Sequence, residues 1–161
     1  MQPVETIRGF QLDQLAKALP SITYVIQSAL EADLRRYRDG GTGWTALEVL
    51  CHIRDYDVIF ADRVRLALAE DMPKLPDYNA DVLAQERDYN GQPVAEVLAS
   101  WAGYRQDLLT LFSGIAADDW QRGAIHFKRG PVSVQDLLAL NVWHDLNHLE
   151  QMTRVLAEKQ E

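Results

Sequence analysis

Apolar residues recur along most of this chain every three or four positions, the period of an α-helix with one buried face. Leu12, Leu15, Leu19, Ile22 and Ile26 follow one another at spacings of 3, 4, 3 and 4 and predict a first long helix. Pro20 interrupts this run and either kinks one helix or opens a second piece; the pattern leaves both open. Residues Asp39-Gly-Gly-Thr-Gly-Trp44 read as a loop. Thr45-Ala-Leu-Glu48 then has the form of a capping box, in which each end satisfies a backbone N–H of the other. A second long helix follows to about Ala69, carrying Leu50, Ile53, Phe60 and Val64, and Met72-Pro-Lys-Leu-Pro76 stops it. The polar stretch from Asp77 to Gln92 predicts loop with one short helix near Asp81–Arg87. Pro93 suits a first helical position, and Val94, Leu98, Trp101, Leu108 and Phe112 mark a third long helix. Gly114, Gly123, Gly130 and Pro131 predict a connecting loop over 114–132. Ser133-Val-Gln-Asp136 starts a fourth long helix that reaches about Ala157 on a stripe of Leu137, Leu140 and Val155. No segment shows the period-two alternation of a half-buried strand. The expected fold is all-α: one domain over 1–161, a four-helix bundle with a short extra helix between the second and third long helices.

Composition narrows the possible partners. With 161 residues, 47% hydrophobic and 25% charged, the chain has the balance of a globular protein with one sizeable core. Its net charge of −8 argues against nucleic acid and anionic membrane surfaces as partners. A single cysteine, Cys51, excludes an internal disulfide or a CxxC pair and fits a reducing compartment. Beside His52 it reads as a small buried hydrophobe, and Trp44, Trp101, Trp120 and Trp143 as core packing. There is no leader pattern and no apolar run of about 18 residues, so the expectation is a cytoplasmic protein without a membrane span.

Candidate chemistry centres on histidine. His144-Asp-Leu-Asn-His148 places two imidazoles one turn apart on the fourth helix, in phase with Leu137, Leu140, Gln151 and Val155. His52 shares a face of the second helix with Val49, Tyr56 and Ile59. Three inward histidines from two helices match a His₃ site that keeps one position open. Each piece also has a plainer reading: HxxxH recurs by chance, and His52 alone reads as a core histidine. Imidazole suits zinc, nickel, copper and iron alike, so the ligands do not name the metal. Glu48 reads as the partner of Thr45, and His126, beside Phe127, Lys128 and Arg129, as an exposed loop histidine. Asp55 and Asn141 stand three residues from a candidate ligand, where each either orients that histidine or is an ordinary polar helix residue. Gln151, one turn beyond His148, is a candidate pocket-lining group. The zinc-peptidase motif HExxH is not met, because Asp145 stands where that chemistry needs glutamate. A ferritin-like di-iron site is excluded because the chain contains no ExxH.

Gly43-Trp-Thr-Ala-Leu-Glu-Val-Leu-Cys-His-Ile-Arg-Asp55 resembles the start of the second helix in DinB-like (YfiT-like) proteins. His144-Asp-Leu-Asn-His-Leu-Glu-Gln151 is similar to their fourth-helix HxxxHxxQ, and 75–78 and 118–122 look like their connecting segments. The likeness extends from about Leu12 to Leu156. It implies a four-helix bundle holding a divalent metal, zinc or nickel foremost, on His52, His144 and His148, with a homodimer as the assembly. Gln151 and Asn141 become candidates for contact with a cofactor in that pocket. It further implies an S-transferase joining a low-molecular-weight thiol to a small electrophile. A non-catalytic metal-binding or stress-related interaction protein and a metal-dependent hydrolase are the alternatives.

Overall fold

The computed structural model describes residues 3–160. The first helix, α1 (Pro3–Ser28), runs unbroken through Pro20, which settles that alternative in favour of one helix. Pro20 is on the exposed face, so the carbonyl it leaves without an i→i−4 partner lies on the solvent side. Leu15, Ile22 and Ile26 of its apolar stripe are buried to 1% exposure or less. A short helix that the pattern does not predict, α2 (Glu31–Arg36), follows and buries Leu34 alone.

Helix α3 (Ala46–Ala69) begins at the capping box read from the sequence. The Thr45 hydroxyl accepts the Glu48 N–H at 3.2 Å, and the Glu48 carboxylate accepts the Thr45 N–H at 2.7 Å. This helix is the centre of the fold and packs against α5 (Val94–Ser113) and α6 (Val134–Glu158), while α1 closes the bundle against α6 and α5. Buried Ala46, Ala61 and Ala67 give it small side chains at the contacts of its core face. The predicted short helix is α4 (Ala80–Glu86), capped by Asn79. Helix α6 opens on its own capping box, Ser133 with Asp136.

The segment expected to be plain loop holds a two-stranded antiparallel hairpin, β1 (Gly123–His126) and β2 (Gly130–Ser133). Ala124 pairs with Val132 and His126 with Gly130, whose φ of +73° serves the turn. The stretch after α3 lies alongside β1: Ile125 donates to the Pro73 carbonyl at 2.7 Å, and Leu75 donates to the Ile125 carbonyl at 2.9 Å. Strands of four residues offer too few alternations to register as a period, and Gly, Ala and Pro carry little strand propensity. The hairpin matters here because its turn overhangs one end of the histidine cluster. Among the described residues no helix is long and apolar enough to cross a membrane.

Candidate metal centre

His52 projects from the second turn of α3, and His144 and His148 from successive turns of α6. One ring nitrogen from each lies within 4.8 Å of the others. Nitrogens that share one ion, each about 2.1 Å from it, lie about 3 to 4 Å apart. The Nε2 atoms of His52 and His144 face each other at 2.9 Å. Two imidazole acceptors at that distance need a proton or a cation between them. Trp44 and Tyr56 flank the His52 ring at centroid distances of 4.8 and 4.1 Å, and Tyr56 stacks on His144 at 4.9 Å.

Around these rings the structure fixes a tautomer. His148 Nδ1 meets the Gln151 amide oxygen at 2.8 Å, and Gln151 donates its amide N–H to Asp39 at 2.9 Å. Asp39 in turn accepts from Arg154. Since the amide oxygen of Gln151 must accept, His148 carries its hydrogen on Nδ1 and turns a bare Nε2 toward the cluster. Gln151 therefore bonds a histidine of the cluster directly. Asn141 is fully buried, and neither end of its amide has a hydrogen-bond partner among the described residues. Asp55 is occupied elsewhere: it accepts from Arg54, Arg87 and the Tyr89 hydroxyl at 2.6–2.7 Å and touches no histidine. It is thus neither an orienting group for His52 nor an idle surface residue, but the anchor of the chain after α4.

Burial keeps His52 and His148 neutral. His52 is held far below the ordinary histidine range by desolvation, reinforced by the neighbouring His144 and His148. His148 is pulled down to about 4 by burial and by His144. A neutral imidazole is the form that ligates a metal. It also sets a pH dependence for the metal-free chain. His148 titrates near 4 when folded and near 6.5 when unfolded. The unfolded chain therefore holds more protons between those values, and stability falls as pH drops through the window. We expect His148 to contribute a loss of about 3 kcal/mol there. Urea unfolding of chelator-treated protein from pH 7 to pH 4 should be steeper in pH for the wild type than for His148→Leu; equal slopes would contradict it.

Three placements correct the sequence reading. His126 is not exposed but 8% accessible, stacked on Phe127 at 4.6 Å. Trp143 is not core packing: it is 53% exposed, with Arg129 over its ring. Arg63, unremarked in the sequence, is 4% exposed, on the same stripe of α3 as His52 and Tyr56. A charged residue at that helical phase is the signal that was available. Cys51 is buried as expected, and desolvation pushes its thiol up to about 12, far from a nucleophile's range.

A cavity of about 330 Å³ opens beside His144, between α3, α6 and the hairpin turn. Its walls include Tyr56, Phe60 and the buried Arg63, and the exposed Trp143, Lys128 and Arg129 stand at its rim.

Comparison with known proteins agrees with the helical-bundle fold. The sequence profile of the DinB superfamily matches residues 12–152. A Bacillus pumilus protein provisionally named a metal-dependent hydrolase is 29% identical over 164 residues, covering 98% of this chain and 92% of its own. YfiT of Bacillus subtilis, named likewise, is 24% identical over 160 residues, covering 96% and 89%. The solved structure of YfiT, described as a four-helix bundle of unusual topology, superposes with a TM-score of 0.84 at 21% identity, covering 93% of this chain and 86% of YfiT. The crystal structure of a mycothiol-dependent maleylpyruvate isomerase superposes at 0.74 with 12% identity, covering 94% of this chain and 61% of the isomerase.

Proposed function

This chain belongs to the DinB superfamily, and from that premise we propose that it holds a divalent metal on His52, His144 and His148 and uses it as a thiol S-transferase. The observation that carries the reading is the convergence of three imidazoles, one buried and two half-buried, within 4.8 Å, one of them locked by Gln151 with its Nε2 bare. Once bound, a divalent cation lowers the pKa of a small thiol at its free position, so that the sulfur is ionised at neutral pH. Tyr56 and Trp44 keep water from two sides of the cluster, and the cavity beside His144 receives the electrophile. A thiolate so formed would bond to the electrophilic carbon, and the leaving group would depart with its electron pair.

Among the described residues the carboxylates nearest the cluster are tied to other groups rather than free as a general base, and the one unbonded oxygen, Asp145 Oδ1, lies 3.9 Å from His144 Nδ1. Glu48 is engaged by Thr45 and Arg38, and Asp145 by Arg105. Thiol transfer needs no such base, which favours it over peptidase-like hydrolysis. The provisional names of the relatives favour hydrolysis as the second reading.

A single assay separates the two. Zinc- or nickel-loaded protein is mixed with an activated aryl halide and, in turn, cysteine, glutathione and mycothiol; an activated ester without thiol runs in parallel. The expected result is metal-dependent consumption of the halide that saturates in one thiol and is absent from the triple His52/His144/His148 alanine variant. Ester turnover without any thiol effect would replace transfer with hydrolysis. Metal uptake with neither activity would leave a non-catalytic metal protein.

A further inference from the structure

Arg63 is a buried cation without an ion-pair partner among the described residues. Its side chain is 4% exposed, yet it forms no ion pair with any carboxylate among the described residues. A guanidinium offers five N–H donors. Among the described residues Arg63 makes one hydrogen bond, to the Pro76 carbonyl at 3.1 Å, and its buried Nε has no partner. The rings of Phe60, Tyr78 and Phe127 each lie 5.9 Å from it, and rings alone do not replace a lost ionic shell. Buried arginine elsewhere in this chain is treated differently: Arg105 has two carboxylates.

The setting of Arg63 is as informative as its isolation. It lines the cavity beside His144, and the two other cations on that cavity, Lys128 and Arg129, are exposed and rest over Phe127 and Trp143. No carboxylate lines the cavity, although the chain carries a net charge of −8. Asp77 is near enough to act on Arg63 through space but forms no ion pair with it. His126, on the same wall, is held below its ordinary value by burial and by Arg63 and Arg129. A local positive field on an acidic protein, with a desolvated guanidinium at its base and aromatic walls, is the arrangement that selects a planar anion.

We propose that Arg63 is a specificity-determining residue whose missing counter-ion is the carboxylate of the substrate, so that the cavity takes a carboxylate-bearing electrophile with a flat apolar body. The guanidinium receives the carboxylate, Lys128 and Arg129 draw it in at the rim, and Tyr56, Phe60 and Trp143 hold the body against His144. This rests on the reading of the three histidines as a metal centre only for the word electrophile; the anion site itself does not.

Calorimetric titration of the full chain with benzoate and with benzamide, its uncharged counterpart of the same shape, tests it. Benzoate is expected to bind at least tenfold more tightly than benzamide. Arg63→Met should abolish that preference, and the triple histidine alanine variant should keep it. Equal binding of the two probes by the wild type, or an unchanged preference in Arg63→Met, overturns the proposal. If Arg63→Met does not fold, the double change Lys128→Gln/Arg129→Gln on the exposed turn decides. It should weaken benzoate about threefold with benzamide unchanged, and no weakening overturns the proposal. Metal content of the same wild-type samples keeps the two readings apart. Benzoate preference without metal uptake sinks the metal reading alone, and metal uptake without benzoate preference sinks the anion site alone.

Discussion

Arg105→Met is expected to destabilise the chain by about 3–5 kcal/mol, the cost of removing one partner from a buried ionic network. Arg105 comes from α5 and is 1% exposed. Its Nε and one terminal nitrogen donate to the two Asp57 oxygens of α3 at 2.7 and 2.8 Å. The other terminal nitrogen donates to Asp145 of α6 at 2.6 Å and to the Leu15 carbonyl of α1 at 2.8 Å. One side chain thus ties all four long helices together. Methionine fills much of the volume but leaves two carboxylates buried without a cation. Even with Arg105 in place, burial pushes Asp57 up to about 6. Without the guanidinium Asp57 holds its proton still more strongly in the folded state than in the unfolded one. The variant should therefore recover part of its stability as pH falls from 8 to 5. Urea unfolding at both values measures this, and a loss under about 1 kcal/mol at pH 8 would mean that the network is not the tie described.

Removing one histidine of the cluster should have the largest effect on metal binding. His148→Ala is expected to weaken divalent-metal affinity by more than about 100-fold, because 10–100-fold is the usual cost of losing only an orienting partner. Gln151→Leu, which frees the His148 ring without removing it, should fall within that smaller range. Competition titration against a chromophoric chelator reads both. A metal bound at a thousand times its dissociation constant adds about 4 kcal/mol to stability, so chelation should also lower the melting temperature of the wild type, and by much less that of His148→Ala. Equal affinity in wild type and His148→Ala would remove the histidine from the site.

The four long helices and both capping boxes were legible because each depends on residues close in sequence. A three-to-four period fixes a buried face, and Thr45–Glu48 and Ser133–Asp136 fix two starts. Gathering His52 with His144 and His148 was legible for a related reason: helical phase aims each inward, and a bundle brings inward faces together. The parts that stayed hidden are set by partners distant in the chain. The hairpin is stabilised by register with residues 73–75, which no local pattern encodes. His126 is buried only because that hairpin folds back, and Arg63 faces a cavity whose far wall is the same turn. Trp143 differs from the other three tryptophans because it stands on the rim of that cavity. Gln151 was visible one turn after His148, but its link through Asp39 to Arg154 joins α6 to the loop before α3, so its orienting role emerges only in three dimensions.

The most direct test of the account is elemental analysis of protein purified without a metal-affinity tag, alongside the triple His52/His144/His148 alanine variant. Close to one equivalent of a divalent transition metal per wild-type chain is expected, and none in the variant. No metal in the wild type, and none retained after incubation with zinc or nickel and desalting, would contradict it and return the three histidines to the core.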